Sequence, residues 1–264
     1  VQLTVDPEVK QAFRTDADLF DQIMALQGQV YRELEGRRTQ RIELQGRGYF
    51  LKQHYGIGWR EVLKNLLQLR LPVYSAKNEW QALQRLQALA IPTLEPVAFG
   101  QRGCNPARME SFLVTRELTG VISLEDLCRD WPSAPPAPRF KWALIVEIAR
   151  MMRIMHTQGI NHRDCYICHF MLDQRTVGSS TPRLHVIDLH RAQLRAVPPR
   201  RWVIKDLAGL YFSSKDSGLT SRDLLRFIRE YRKQALQTVL ANEGTFWKKV
   251  EQRGNRTYRK HGQS

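Results

Sequence analysis

The stretch His156-Thr157-Gln158-Gly159-Ile160-Asn161-His162-Arg163-Asp164 decides how the rest of the chain is read. It ends a helix and opens a loop. Phe140, Leu144, Ile148, Met151 and Met155 recur on one helical face with Glu147 and Arg150 opposite, and Gly159 is placed to close that helix. A histidine, an arginine and a carboxylate then follow in a loop anchored by the strongest helical pattern of the chain. A carboxylate so placed suits general-base work. By itself the triplet is common by chance.

The surroundings give it weight. Leu184-His185-Val186-Ile187-Asp188 puts an acid at the end of an apolar strand. Val30–Leu34, Thr39–Leu44 and Tyr49–His54 are extended runs parted by glycines, which predicts an antiparallel meander with Lys52 on its third strand. Trp59–Leu71 reads as an amphipathic helix stopped by Pro72, and a second helix is predicted from Ser75 to Ala90 with Glu79 early in it. Short strands are expected at Glu95–Gly100, Phe112–Arg116, Phe170–Leu172 and Leu184–Ile187. Thr220-Ser221-Arg222-Asp223 resembles a capping box ahead of Leu224–Tyr231.

A strand lysine, a helix glutamate, a His-Arg-Asp loop and a strand-terminal aspartate follow the order of the protein-kinase signature set. The predicted fold class is therefore α+β: a bilobal protein-kinase-like fold with a β-rich N-lobe and a mainly helical C-lobe. Residues 1–118 are assigned to the N-lobe and 119–264 to the C-lobe, with a connector near 116–138 that includes the proline-rich run Trp131–Pro138.

Phosphoryl transfer passes through a loose transition state, so catalysis is mostly positioning and charge neutralisation. In that chemistry Lys52 holds the α- and β-phosphates of ATP, Glu79 fixes the lysine, Asp188 binds Mg²⁺, and Asp164 takes the proton of the attacking hydroxyl, flanked by His162 and Arg163. Glu117 and Leu118, where the first lobe ends, complete the expected cofactor contacts. Some features depart from protein kinases. His169 stands where a metal-binding asparagine is expected, Leu189-His190 follows Asp188 in place of Phe-Gly, no Ala-Pro-Glu follows, and the first-lobe glycines make no G-x-G-x-x-G. The departures favour a small-molecule or glycan kinase.

Three segments, Tyr49–Gly56, Asn161-His162-Arg163-Asp164-Cys165-Tyr166-Ile167-Cys168-His169-Phe170 and Val186–Ala192, together with Trp202–Leu210, resemble the bacterial lipopolysaccharide core kinases. That family comprises heptose and Kdo kinases, and the nearest likeness is to its heptose(I) kinases. The resemblance spans roughly residues 30–235. It implies ATP-dependent, Mg²⁺-assisted phosphorylation of the first heptose of the inner core at the cytoplasmic face of the inner membrane. It also implies that Asp164 is the catalytic acid residue, with His169 in place of asparagine belonging to the family pattern as a second metal-site residue.

The charge fits an anionic acceptor. Lys and Arg number 41 against 26 Asp and Glu, a net charge of +15. Arg191, Arg195, Arg200, Arg201 and Lys205 follow Asp188 and are expected to meet the phosphates and carboxylates of a core glycolipid. Nucleic acid is not an expected partner, since the stretch offers only Trp202 for base stacking. Contact with the anionic membrane surface is expected, while protein partners are unknown from sequence. No apolar run long enough to span a membrane and no signal-peptide pattern are seen, so a cytoplasmic, peripheral location is expected. Cys165-Tyr166-Ile167-Cys168 beside His162 and His169 is too tight for one tetrahedral zinc, and reduced, partly buried thiols are expected instead. The basic segment Lys248–Lys260 reads as a disordered or membrane-seeking tail. A kinase for another small molecule or for protein, and a pseudokinase-like polyanion-binding module, are the competing readings. The presence of Lys52, Asp164 and Asp188 together speaks against the last.

Overall fold

The glycine-punctuated run from Gln29 to His54 folds as a meander because its turns can take left-handed backbone. In the computed structural model, which describes residues 1–13, 18–34, 36–56, 75–105 and 108–261, β2 (Gln29–Leu34), β3 (Arg37–Leu44) and β4 (Arg47–His54) pair antiparallel. Gln45 and Gly46 link β3 to β4 with φ of 51° and 74°, the primed-turn signs that match strand twist. Lys52 lies on β4, because β1 (Gln2–Val5), which the sequence reading missed, precedes the meander.

Two compact units divide the chain: Val1–Arg85 with Leu94–Leu118, and Leu86–Thr93 with Thr119–Ser264. The first carries a sheet of order β1-β5-β6-β4-β3-β2, completed by β5 (Pro96–Arg102) and β6 (Glu110–Arg116). Helices α1 (Pro7–Lys10) and α2 (Leu19–Ala25) cover one face, where Val9, Phe20 and Ile23 pack on Tyr49, Leu51, Phe112 and Val114. Each such buried side chain contributes about 1.5–3 kcal/mol. Helix α3 (Lys77–Ala88) begins where Ser75 Oγ accepts the Lys77 N–H at 3.1 Å. The predicted helix Trp59–Leu71 lies outside the described residues.

In the second unit β7 (Val121–Ser123) leads into α4 (Leu124–Cys128) and then α5 (Pro138–Thr157). The proline-rich run is therefore internal to this unit and joins two of its helices; Trp131 is buried and Pro138 occupies the first turn of α5. Phe140, Leu144, Met151 and Met155 are buried, as the periodicity requires, while Glu147 and Arg150 pair at 2.7 Å. Short strands β8 (Ile160–Asn161), β9 (Phe170–Asp173), β10 (Leu184–Val186) and β11 (Gln193–Leu194) form two small sheets, β10-β9-β7 and β11-β8. Helices α6 (Arg200–Ser213), α7 (Ser221–Arg232) and α8 (Leu236–His261) complete it. Thr220 and Asp223 form the expected capping box at α7. The expectation of a disordered tail is overturned: Lys248–Lys260 belongs to α8, whose Phe246, Trp247 and Val250 are buried. No helix among the described residues is long and apolar enough to cross a membrane.

Candidate active site

Gly159 sets the course of the loop. Its φ of 82° suits glycine, and a β-carbon there would stand 1.7 Å from the carbonyl oxygen of Arg195. The close approach is a strand pairing, for the Arg195 N–H donates to the Gly159 carbonyl at 2.9 Å as β11 meets β8. Arg163 follows with φ 72°, a left-handed conformation that costs a residue bearing a β-carbon about 1–2 kcal/mol.

Asp206 of α6 holds the loop in that conformation. Its carboxylate is buried and accepts the N–H groups of His162 at 2.8 Å and Arg163 at 2.7 Å. His156 Nε2 approaches the same carboxylate at 3.3 Å, and the hydroxyl of Tyr231 lies 2.7 Å from His156 Nδ1. Burial pushes the Asp206 pKa up, but His156, His162 and the amide bonds more than offset it and hold it below the usual carboxylate value. Burial also pushes the Tyr231 hydroxyl pKa up. Sequence reasoning did not single out Asp206. The signal was an acid inside Val203-Ile204-Lys205-Asp206-Leu207-Ala208, on the buried side of a helix, where a carboxylate needs partners.

The other sequence-predicted residues of this unit gather around that frame. Asp164 faces Arg191 Nη1 at 3.2 Å and Lys205 Nζ at 3.4 Å, and Lys205 also donates to the Arg163 carbonyl. The Arg163 guanidinium lies 4.2 Å from the Trp202 ring centroid. His162 is wholly buried, and its Nε2–H donates to the Ile187 carbonyl at 2.9 Å, tying the loop to the residue before Asp188. Burial lowers its pKa and keeps it neutral. Asp188 has φ 61°, with His190 Nδ1 at 2.5 Å from one oxygen and His169 Nε2 at 3.4 Å from the other. His169 donates through Nδ1 to the Asp164 carbonyl at 2.7 Å and stacks on His162. Arg195 bonds Gln193, Arg200 lies over Phe246 and Arg201 over Trp202, so these three are not brought to Asp164 by any of those contacts.

The donor set at Asp188 fits Mg²⁺. With His169 Nδ1 at the Asp164 carbonyl, its Nε2 lies 3.4 Å from an Asp188 oxygen, so the two side chains stand side by side. Among the described residues no group of three or more His, Cys, Asp or Glu is arranged to hold a metal. Mg²⁺ proteins commonly hold the ion with one or two carboxylates plus the phosphates of a nucleotide. Imidazole prefers softer ions, so Asp188 is the ligand that suits magnesium best.

In the first unit, Lys52 Nζ lies 2.6 Å from Glu79 Oε1, and Glu79 is 2% exposed. Glu117 is held on both ends: its N–H donates to the Gly48 carbonyl at 3.0 Å, and Arg41 Nε donates to its carboxylate at 2.8 Å. Leu118 is the last residue of the unit. The cysteines are free. Burial raises the pKa of Cys165 and pushes Cys168 to about 11, which leaves both poor nucleophiles.

Residues 21–231 match the lipopolysaccharide kinase (Kdo/WaaP) family. The chain belongs to that family. It is 52% identical over 242 residues to the lipopolysaccharide core heptose(I) kinase WaaP of Pseudomonas aeruginosa, covering 91% of this chain and 90% of the relative. The protein of the same name from Escherichia coli is 50% identical over 240 residues, covering 89% and 91%. A solved structure of WaaP in complex with acyl carrier protein superposes with a TM-score of 0.85 at 45% identity, covering 98% of this chain and all of that one. The fold of this Kdo/WaaP family member is thus the bilobal α+β, kinase-like one, and its His-Arg-Asp loop lies within the matched region.

Proposed function

We propose that this chain is an ATP-dependent kinase that phosphorylates the first heptose of the lipopolysaccharide inner core. The observation that carries the reading is the framework joining Asp164 to Asp188. Asp206 pins the loop before Asp164, His162 bonds the residue before Asp188, and His169 bridges the two acids. Relatives about half identical over most of the chain bear the heptose(I) kinase name, which supports the acceptor.

Asp164 orients the sugar hydroxyl and takes its proton, with His162 and Arg163 positioning it. Lys52, fixed by Glu79, holds the α- and β-phosphates, and Glu117 and Leu118 meet the nucleotide. Mg²⁺, when bound, neutralises charge on the phosphates, and Asp188 with His169 beside it is the side-chain set that would hold it. Arg191, Arg195, Arg200 and Arg201 face the anionic glycolipid. Because the acceptor is lipid-linked and the chain carries +15, the enzyme works peripherally at the inner face of the inner membrane.

Acyl carrier protein is proposed as a protein partner, from the solved complex of the WaaP relative. A specific feature favours it. The second unit contains a cavity of about 570 Å³ lined by Leu144, Ile145, Leu224, Phe227, Leu240 and Trp247, whose apolar walls suit an acyl chain.

The decisive test is transfer from Mg-ATP to dephosphorylated core lipopolysaccharide. Asp164→Ala and Asp188→Ala are each expected to lower kcat at least about 100-fold. Undiminished transfer by Asp164→Ala would remove the proposed base, and transfer to a generic peptide but not to the glycan would favour a protein kinase.

A further inference from the structure

The surroundings of Asp164 hold more positive charge than the carboxylate answers. Arg191 and Lys205 both reach its oxygens, and Arg163 adjoins them in sequence and space. Asp206, the acid next to Lys205 in α6, is spent on the loop amides and His156. Two of the three cations are seated differently. Arg191 stands well out in solvent, its side chain 42% exposed, whereas the Lys205 side chain is 21% exposed and rises from the interior of α6. Burial lowers the Lys205 pKa, with Asp164 opposing the shift and Arg191 and Arg163 adding to it, as expected of a desolvated ammonium among like charges. Its contacts at Asp164 and at the Arg163 carbonyl are hydrogen bonds of one rotatable head, so two of its three donors are used and the third is open to a further acceptor.

Distance decides which acceptor that is. A general base sits about 2.6–3.2 Å from the hydroxyl whose proton it takes, and that oxygen lies about 3–3.5 Å from the phosphorus it attacks. An ammonium within 3.4 Å of Asp164 is therefore within one pivot of its long stem of the phosphoryl oxygens.

We propose that Lys205 is a catalytic residue of the phosphoryl transfer, donating to an oxygen of the migrating phosphoryl group and not to the glycan. The proposal rests on the kinase reading above and assigns Lys205 to the reacting centre. In the step, the acceptor hydroxyl oxygen bonds to the γ-phosphorus as the bond from that phosphorus to the β,γ-bridging oxygen breaks. The bonding pair leaves with that oxygen on ADP, and the hydroxyl proton passes to the Asp164 carboxylate. Lys205 neither gains nor loses a proton. It swings from Asp164 as the carboxylate is neutralised and follows the negative charge to the equatorial oxygens, which is the moment a preorganised cation lowers a barrier.

The test compares wild type, Lys205→Met and Lys205→Arg as full-length protein with Mg-ATP and dephosphorylated core lipopolysaccharide. Thermal unfolding establishes that each variant is folded, and Lys205→Arg keeps the charge if the methionine variant is not. Lys205→Met is expected to lose about 100-fold in kcat with acceptor KM within about threefold, and Lys205→Arg to recover part of it. Affinity for ADP with fluoroaluminate, a mimic of the migrating phosphoryl, should fall alongside kcat while affinity for ADP alone stays. A merely structural lysine would not separate the two nucleotide complexes. A raised acceptor KM with unchanged kcat would make Lys205 a glycan contact and overturn the proposal. So would a kcat within threefold of wild type, or a fluoroaluminate affinity left intact. Absence of transfer by the wild type would instead overturn the kinase reading itself, and this assignment with it.

Discussion

Asp206 shows how one buried carboxylate can fix the loop that carries another acid, Asp164. Its two oxygens serve four donors if the 3.5 Å approach of Asn161 is counted with His156 and the amides of His162 and Arg163. Asparagine would keep the shape but turn an N–H₂ towards donors. Asp206→Asn is expected to destabilise the protein by roughly 3 kcal/mol, the scale of a broken buried polar network, and to lower kcat by freeing the Arg163 turn. Urea unfolding and transfer assays measure the two effects. Because its native pKa is depressed, the stability Asp206 adds is present above the unfolded carboxylate range and lost as pH falls below about 4. His162 acts earlier on the same axis. Burial lowers its pKa, His169 adds to that, and Asp206, the Ile187 bond and Asp188 oppose it. The unfolded chain therefore binds a proton there first, so stability falls with pH from about 6.5 downward, by up to about 1.4 kcal/mol per pH unit. Chemical unfolding at pH 7.5, 6.5 and 5.5 checks this contribution, and His162→Asn should flatten the slope. The elements that carry Lys52, Asp164 and Asp188 could be placed from sequence because strands and loop triplets are local patterns. The service of Asp206 to a loop far off in the chain is set by tertiary packing, which no spacing reveals.

At the scale of elements, the parts that sequence predicts are those whose partners are near in the chain. The meander of β2, β3 and β4 pairs neighbours through two short turns, and α5 needs only its own apolar stripe. β1 escaped because it pairs with β5, across most of the first unit, and four residues carry too little alternation to stand out. α8 escaped for another reason. Its charges mask a sparse apolar row, Val239, Phe246, Trp247 and Val250, that packs only because other helices of its unit are there to receive it. The β8–β11 pairing is the element on which the loop depends, and Gly159 is its tightest point. Gly159→Ala combines a positive φ with a β-carbon 1.7 Å from the Arg195 oxygen, so it is expected to cost at least about 3 kcal/mol and to depress transfer. Gly178 provides the contrast. It has a similar φ of 80° but open space around its β-position, so Gly178→Ala should cost only about 1–2 kcal/mol and leave kcat unchanged. Parallel urea titrations of the two variants separate the clash from the backbone term.

For the molecule as a whole, the feature that calls for a physical account is a large apolar pocket, open on one side, among the helices of the second unit. A pocket of about 570 Å³ leaves apolar walls facing water, and a core selected for stability alone would close it. The side chains on its walls belong to α4, α5, α6, α7 and α8, so filling it would brace the helical unit on which the Asp164 loop is mounted. The proposed acyl carrier partner supplies such a filling, and it makes stability a mass-action property of the complex. Gly244 allows the idea to be tested without removing anything. It lines the cavity from α8, and a β-carbon there meets nothing within 4 Å. Gly244→Phe therefore adds apolar volume to open space and removes a glycine from a helix interior, which by itself gains about 0.3–0.5 kcal/mol. If the cavity takes an acyl chain, the variant should show a higher Tm when isolated and should no longer copurify with acyl carrier protein, while wild type loses Tm when stripped of its partner. If carrier binding survives in Gly244→Phe with unchanged affinity, the chain does not enter the cavity, and the partner must be held by the surface of the protein alone.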